Sequence, residues 1–283
     1  MTLKTSRLGK RLLARLMAFL AVIAIGSSAP ALAESWPASV RAVYDVNFNG
    51  FNIGSLEFRS EAEQQSYTLL TNTRLSILLG AFTFDGETRS FGLLVNQAPK
   101  PAAFTFDFRS NLRAGSTKIG FSDGNVTNVK NLPPPPANPN IIPLREQHLK
   151  GVLDPLSAIM VVSRGASNPC ERRVPIFDGK ERFDLIFSYK GEMKVSEQQP
   201  SGQPDVAFVC RVRYLPIAGH KADPETKYMA GNDAIEVALR PVPSANMLVP
   251  YQINIPTLAG FASIVSKRVE IATPGKAQIA LTH

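Results

Sequence analysis

Three histidines, His148, His220 and His283, could serve as the base of a serine hydrolase. A Ser-His-acid site needs an imidazole that takes the proton of the nucleophilic hydroxyl. The chain contains no G-x-S-x-G sequence, which marks the nucleophile turn of many such enzymes. His148 lies in a polar stretch and His220 in a segment rich in Lys and Asp, where solvated loop residues are expected. The pattern therefore predicts no catalytic residue.

Metal-binding and nucleotide-binding sequences are also missing. Neither H-E-x-x-H nor D-x-D-x-D-G occurs, and no glycine-rich phosphate loop is found. We therefore predict no metal site and no cofactor. Carboxylate pairs for glycoside cleavage are set by folding rather than by spacing, so Asp45, Glu57, Asp85 and Asp107 stay open as candidates. Alternating charged residues of this kind usually form the solvated face of a strand.

The two cysteines, Cys170 and Cys210, are the remaining reactive side chains. An isolated pair in an oxidising compartment predicts a disulfide. Closing the loop between them would stabilise the fold by about 4 kcal/mol in the chain-entropy model. A redox-active or metal-binding pair is the alternative, although the chain has no C-x-x-C sequence.

The first 33 residues indicate where the protein is sent. Five basic residues lie within the first 15 positions, an apolar run covers residues 16–25, and Ala31-Leu32-Ala33 follows. This order is typical of a cleaved secretory signal. The apolar run is too short to span roughly 30 Å of hydrocarbon. We predict cleavage after Ala33 and a periplasmic mature chain without a transmembrane anchor; an uncleaved N-terminal anchor is the alternative.

Loss of this signal changes the charge balance. The full chain has 31 Lys and Arg against 23 Asp and Glu, and five of the basic residues lie in the signal. Residues 34–283 therefore carry a net charge of only +3. Such a mildly basic surface predicts no nucleic-acid partner.

Apolar residues alternate with polar ones along most of the remaining sequence. Over Val40–Phe48 every second residue is apolar, which predicts a half-buried strand. Asp123-Gly124 and Asp178-Gly179 are typical of hairpin turns because glycine accepts a positive φ. About a dozen such strands lie too close together for helical crossovers, which favours one antiparallel sheet.

The sequence F-D-G-x-x-R occurs twice, at Phe84–Arg89 and at Phe177–Arg182. Either it marks a duplicated hairpin, or it occurs twice because D-G is common in tight turns. The second interpretation is preferred.

Two segments interrupt the strands. Six prolines between Pro133 and Pro143 indicate an exposed connector, because proline lacks a backbone donor and favours an extended helix. It is either a stiff spacer within one domain or a recognition ligand for a partner. Further on, Asp154 can cap a helix, Pro155 suits its first position and Gly165 can end it. This helix is apolar on nearly every face, so we expect it to be buried against the sheet.

Several short motifs resemble those of an exported bacterial family whose domain has no known function. They are Gly50–Leu56, Asp154–Ala158, Val174–Lys180, Cys210–Tyr214 and Val249–Tyr251, and the resemblance spans about Val40 to Ile271. It implies a β-rich fold. By a looser analogy, it implies a shape similar to curved-sheet envelope proteins such as periplasmic lipoprotein carriers. The resemblance transfers no catalytic residue.

Together these observations predict a mainly β fold for residues 34–283, with the proline-rich connector at 133–143. The expected architecture is a strongly curved antiparallel sheet, an open barrel or β-spiral, with one buried helix near 154–164. Cys170 and Cys210 would join the second hairpin to a later strand. Candidate ligand-lining residues are Phe82, Phe104, Phe106, Ile159 and Met160.

The preferred function is that of a non-enzymatic periplasmic binding or scaffold protein that supports the cell envelope. Its curved sheet would hold a lipid or an apolar segment, and its partner would be a lipid or an envelope protein. One alternative is an envelope hydrolase with an unrecognised site. Another is an assembly factor that acts through protein contacts at its edge strands or at Pro133–Pro143.

Overall fold

The computed structural model describes residues 36–63, 65–77, 80–165 and 169–283. The predicted signal peptide, residues 1–33, lies outside them. The strands are β1 (Ser39–Phe48), β2 (Phe51–Glu63), β3 (Ser66–Ile77), β4 (Phe82–Val95), β5 (Ala98–Ser110), β6 (Ala114–Ser122), β7 (Asn125–Leu132), β8 (Arg172–Phe177), β9 (Arg182–Lys194), β10 (Val206–Ala218), β11 (Glu236–Val242), β12 (Met247–Thr257), β13 (Gly260–Ala272) and β14 (Ile279–Thr282). The α-helices of the described residues are α1 (Pro155–Ser163) and α2 (Pro224–Gly231), and short 3₁₀ turns cover Glu146–Leu149 and Pro243–Ala245.

All fourteen strands belong to one antiparallel sheet. Its order is β7-β6-β5-β4-β3-β2-β1-β13-β12-β11-β10-β9-β8, and β14 also pairs with β13. Strands β1–β7 and β8–β13 therefore form two meanders that meet where β1 pairs with β13, from Ser39 opposite Ala272 to Phe48 opposite Ala262. Bulges interrupt several of these ladders and increase the local twist of the sheet. The predicted antiparallel β fold is confirmed.

The sheet does not close. Among the named strands, its end strands β7 and β8 pair with β6 and β9, respectively, and not with each other. At one end, the segment from Lys150 to Leu153 lies between them. It bridges Asn125 at the start of β7 and Ile176 near the end of β8. The two edges of the sheet are thus brought near each other without a continuous ladder.

Helix α1 fills the concave side of the sheet, as the sequence predicts. Leu156 and Met160 pack with residues of β3–β6, whereas Ala158 packs with residues of β8–β12. The helix begins where the sequence predicts it, because Asp154 Oδ1 accepts from the backbone N–H groups of Leu156 and Ser157, both at 3.0 Å.

A buried polar cluster fixes this helix to the opposite wall. Asp154 Oδ2 also accepts from the hydroxyls of Ser157, at 2.5 Å, and Ser90, at 2.9 Å. The Tyr67 hydroxyl lies 2.7 Å from Ser157 Oγ. Burial raises the pKa of Asp154, and the hydrogen bonds from Ser157 and Ser90 oppose that rise. We call these four residues the Asp154 cluster.

Cys170 and Cys210 form the predicted disulfide, with Cα atoms 5.2 Å apart. Cys170 immediately precedes the edge strand β8, and Cys210 lies on β10. The bond therefore crosses β9 and ties the edge of the second meander to its interior. Both cysteines are fully buried in the core around Val174 and Leu239.

The repeated F-D-G-x-x-R sequence adopts two different structures. Asp178-Gly179 forms the turn between β8 and β9, where Gly179 has φ +98°. Asp85-Gly86 instead lies inside β4, where Gly86 is needed for space, because a Cβ atom there would come within 2.9 Å of the Phe84 ring. The repeat therefore does not mark a duplicated hairpin.

Candidate functional site

A cavity of about 960 Å³ lies at the open side of the sheet, and we call it the seam cavity. Strands β5–β7 line one side, and β8, β10 and the β8–β9 turn line the other. The proline-rich segment and helix α2 contribute the remaining wall. The incomplete closure of the sheet is therefore what creates this space.

Much of the wall is apolar. Phe108, Phe177 and Met229 line the cavity from three different elements. Leu132 and Leu144, also on the wall, are 49% and 38% exposed. Exposed apolar side chains that converge on one concave space are typical of a binding site.

A second cavity of about 740 Å³ adjoins the first, and Phe108, Leu132 and Pro133 line both. Its other walls carry paired charges, since Asp85 and Arg74 lie 4.0 Å apart on β4 and β3. The two cavities together extend the accessible space along the ends of β3–β7.

The turn between β8 and β9 forms the polar end of the seam cavity. Asp178 Oδ1 accepts from the backbone N–H groups of Lys180, at 2.8 Å, and Glu181, at 2.7 Å. The Asn131 side chain of β7 donates to the Gly179 carbonyl at 3.0 Å. This bond holds the turn against the opposite edge of the sheet.

Glu181 and Tyr214 face each other on this polar end. The Tyr214 hydroxyl donates to Glu181 Oε2 at 3.0 Å. Burial raises the pKa of Glu181, and the hydrogen bond from Tyr214 opposes the rise. Burial and the adjacent carboxylate also raise the pKa of Tyr214. The pair therefore offers one phenol and one carboxyl group for hydrogen bonds at this end of the cavity.

Charged side chains surround the rest of the opening. Lys180, Lys221 and Arg113 bring positive charge, whereas Asp223 and Glu225 bring negative charge. The Arg113 guanidinium lies 5.7 Å from the centre of the Phe108 ring, within cation–π range. The cavity thus combines an apolar wall with a mixed, polar rim.

The three histidines occupy unrelated places. The Nδ1 atom of His148 accepts from the Arg145 backbone N–H at 3.2 Å, on the surface. His220 follows the turn at Gly219, and its Nδ1 is buried without a hydrogen-bond partner in the part of the chain that the structure describes. Among the described residues, no hydrogen bond links either of these histidines to a serine and an acid.

His283 lies in a separate network around Arg240, Glu197 and Ser266, which we call the Arg240 cluster. The Arg240 guanidinium, fully buried, donates to Glu197 Oε1 at 2.6 Å and lies 2.8 Å from His283 Nε2. Because arginine only donates, Nε2 must accept, so Nδ1 carries the proton and donates to Ser266 Oγ at 2.9 Å. This tautomer has no free nitrogen to activate Ser266.

The pKa values of this cluster agree with that assignment. Burial and the Arg240 cation lower the pKa of His283 to about 4. Although burial disfavours the Glu197 carboxylate, the hydrogen bonds from Arg240 and Ser201 hold its pKa at about 2. The cluster at neutral pH is therefore a charged pair beside a neutral imidazole.

The four candidate carboxylates lie on strands of the first meander. Glu57 accepts from Arg41 and Arg59 at 2.7 and 2.8 Å. Asp45 lies 3.7 Å from Lys267, and Asp85 is 70% exposed. Asp107 and Asp85 both line the smaller cavity. These positions belong to the solvated face, as the alternation predicts.

The five predicted ligand-lining residues take other positions. Phe104 and Met160 are buried in the core around α1, and Phe106 and Ile159 pack against it. Phe82 is partly exposed at the start of β4. Among the described residues, the wall of the seam cavity includes none of these five. The side chains nearest α1 fill the concave side, so the open space lies at the seam instead.

The comparison with known families shows which family the chain belongs to. Residues 43–265 match the family described as "Protein of unknown function (DUF3108)". The chain belongs to the DUF3108 family. No curated protein shows significant similarity to it in sequence.

Solved structures similar to this DUF3108 chain include one from a different family of unknown function. It is the crystal structure of a β-barrel-like protein with the domain of unknown function DUF1849 from Brucella abortus. The two share 11% identity, the TM-score is 0.48, and the similarity covers 83% of this chain and 98% of the other.

Two further observations concern the metal-binding side chains and the helices of the DUF3108 chain. In the described ranges, no three His, Cys, Asp or Glu side chains gather in a group that could hold a metal ion. Of the helices described, none is both long and apolar enough to cross a bilayer.

The residues of the seam cavity were not found from the sequence. Glu181 and Tyr214 are 33 positions apart, and Met229 lies on a helix that the sequence did not predict. The available signals were the Asp178-Gly179 turn and the proline-rich connector. Both lie at the seam, but only the strand order shows that they meet.

Proposed function

We propose that the protein is a non-enzymatic periplasmic carrier that holds the apolar part of a lipid-like amphiphile in the seam cavity. The observation that supports this most strongly is the cavity itself. Its volume of about 960 Å³ is in the range of small-molecule binding sites, and its wall combines apolar side chains with converging polar groups.

The rim is suited to the polar part of such a ligand. Tyr214 and Glu181 offer hydrogen bonds deep in the cavity, and Arg113, Lys180 and Lys221 offer charge near the opening. An apolar chain would cover Leu132, Leu144 and Met229, which the folded chain leaves partly exposed. The Cys170–Cys210 disulfide supports export, because such bonds persist mainly in oxidising compartments.

Lipid analysis of the purified protein tests the proposal. The full chain is expressed, the mature form is isolated from the periplasm without detergent, and bound lipid is measured by native mass spectrometry. Leu144→Arg and Met229→Arg place a charge in the apolar wall. Each should reduce the bound lipid about tenfold, since burying one aliphatic side chain contributes roughly 1.5 kcal/mol or more.

Leu258→Arg is the matched control. Leu258 follows β12 and is 58% exposed, outside the seam cavity. It should leave the lipid content unchanged. A wild-type protein without lipid, or equal losses in all three variants, would contradict the carrier function.

The non-enzymatic part of the proposal has its own test. Ester, peptide and glycan substrates are incubated with the wild type and with Glu181→Gln, since Glu181 is the cavity carboxyl with the raised pKa. We expect no turnover above the blank in either protein. Turnover by the wild type that Glu181→Gln removes would show an enzyme.

A further inference from the structure

The two edges of the sheet are protected to different degrees. The outer edge of β8 is covered, because Leu153 donates to the Pro175 carbonyl and accepts from the Phe177 N–H, both at 2.9 Å. The Arg172 guanidinium also donates to carbonyls at the end of α1. The Leu153 contacts occupy the outward-facing carbonyl of Pro175 and the N–H of Phe177, at the end of β8 that faces the seam.

The outer edge of β7 is open between its two ends; near its C-terminal end the Asn131 side chain donates to the Gly179 carbonyl of the β8–β9 turn. Its first residue, Asn125, bridges Lys150, and the preceding Gly124 carbonyl accepts from Val152 at 3.2 Å. Beyond that point, Val126–Leu132 shows backbone pairing with β6 alone among the described residues. Residues 127–130 are exposed in succession. An edge with free donors and acceptors is a template for another strand.

The side chains of β7 divide into two faces. Val129 and Asn131 line the seam cavity, and so does Leu132 at the end of the strand. Lys130 lies between Val129 and Asn131 in sequence and therefore points to the opposite face. A strand added beside β7 would direct every second side chain into the cavity and the others toward the Lys130 face.

The Lys130 face has an uncompensated charge. Lys130 is directly opposite Lys118 of β6, and both are exposed. Neither forms an ion pair with any described residue, whereas Arg41, Arg59 and Arg89 on the same sheet each have a glutamate partner. Like charges in directly opposite positions are destabilising, and an adjacent carboxylate would relieve this repulsion.

We propose that β7 is the docking edge for an extended, acidic segment of a partner protein, which adds to the sheet as a further strand. Backbone hydrogen bonds to Val126–Leu132 provide the affinity. A carboxylate beside Lys130 and apolar side chains in the seam cavity provide the specificity. The lysine pair also opposes pairing of β7 with a second copy of itself. This docking goes beyond the carrier function and does not depend on it.

A peptide of known sequence tests the docking. The probe is an acetylated, fluorescein-labelled nonapeptide of alternating valine and glutamate, and its binding to the mature, delipidated protein is measured by anisotropy. We expect saturable binding that Lys130→Glu weakens about tenfold, because an attractive pair becomes a repulsive one. A peptide of alternating valine and lysine should show the reverse preference.

Lys194→Glu is the matched control, because Lys194 is an exposed lysine on β9, which pairs with β8 and β10 and lies away from β7. It should leave the peptide affinity unchanged. Hydrogen exchange then locates the site: bound peptide should protect those amides of Val126–Leu132 that do not pair with β6, and leave those of β8 unaffected. An absence of saturation, equal effects of the two lysine variants, or protection elsewhere would overturn the proposal.

The result is separable from the carrier test. Lys130→Glu should leave the co-purified lipid unchanged, and a protein without lipid should still bind the peptide. Failure of the docking therefore leaves the lipid measurement to be judged on its own data.

Discussion

Two shielded carboxylates in this fold are held in opposite ways. Asp154 is fully buried among hydroxyls and backbone N–H groups, and burial raises its pKa. The Glu197 side chain, 12% exposed, faces the buried Arg240 cation, and its pKa is about 2. The Asp154 cluster therefore depends on hydrogen-bond geometry, whereas the Arg240 cluster depends on charge. Variants that separate geometry from charge should affect the two clusters differently.

The largest effect should come from Arg240→Met. It leaves Glu197 without its cation, and loss of one partner of a buried pair lowers the free energy of unfolding by about 4 kcal/mol. Urea denaturation at pH 7 measures the change. Arg211→Met, at an exposed position on β10, is the control and should change stability by less than about 0.5 kcal/mol. Equal effects of the two substitutions would show that Arg240 contributes no more than a surface arginine.

Asp154→Ala should follow, with a loss of about 3 kcal/mol. It removes the cap of α1 and the buried acceptor of the Ser90 and Ser157 hydroxyls, which then have only each other and Tyr67 as partners. Asp154→Asn keeps an acceptor for the helix N–H groups and should cost about half as much. If the two variants are equally unstable, charge rather than geometry holds this cluster.

The next largest effect should be a loss of stability at low pH, which comes from the Arg240 cluster. The folded pKa of Glu197 lies below its ordinary value of 4.5, so its contribution is full above pH 4.5 and is lost as the pH falls toward 2. We expect a loss of about 2 kcal/mol over that window, less than the full shift because part of the carboxylate is exposed. Denaturation at pH 5 and pH 2 measures it, and Glu197→Gln should reduce it.

His283 and Asp154 also contribute to the dependence of the free energy of unfolding on pH, with opposite signs. The His283 pKa is lowered to about 4, so its contribution is lost as the pH falls from 6.5 toward 4. The Asp154 pKa is raised, so protonation of this group favours the folded state as the pH falls. Asp154→Asn should therefore make the acid-induced loss larger, and a smaller loss would contradict the raised pKa.

The smallest effect should come from Tyr67→Phe. It removes one hydrogen bond, to Ser157, while the ring stays in the core, so the expected loss is about 1 kcal/mol. Thermal unfolding measures it. Tyr189→Phe, at a 53% exposed position, is the control and should have no effect. A loss above 3 kcal/mol would mean that the cluster acts as one cooperative unit.

Much of the fold was predictable because it depends on local patterns. The alternation over Val40–Phe48, the Asp178-Gly179 turn and the Asp154-Pro155 helix start are each set by neighbouring residues. Asp85-Gly86 misled the same reasoning, because a D-G pair inside a long strand has the same sequence as a turn. Helix α2 was missed because its apolar residues show no clear stripe and none of its residues is buried.

The sites depend on contacts that no local pattern contains. Ser90 is 64 residues from Asp154, and Arg240 is 43 residues from both Glu197 and His283. The seam cavity exists because β7 and β8 come close without pairing, which follows from the strand order of the whole sheet. For the same reason, the sequence places the candidate lining residues near α1, whereas other residues line the seam cavity.

The pairing of β1 with β13 has a consequence for how the chain is made. The ribosome produces β1 first, yet its neighbour in the middle of the sheet is synthesised more than 200 residues later. Until then β1 has an unpaired edge, and contacts so distant in sequence form slowly. The central pairing of the sheet can therefore form only after nearly the whole chain has been made, and the free edge of β1 is until then a site for association with other unfolded chains.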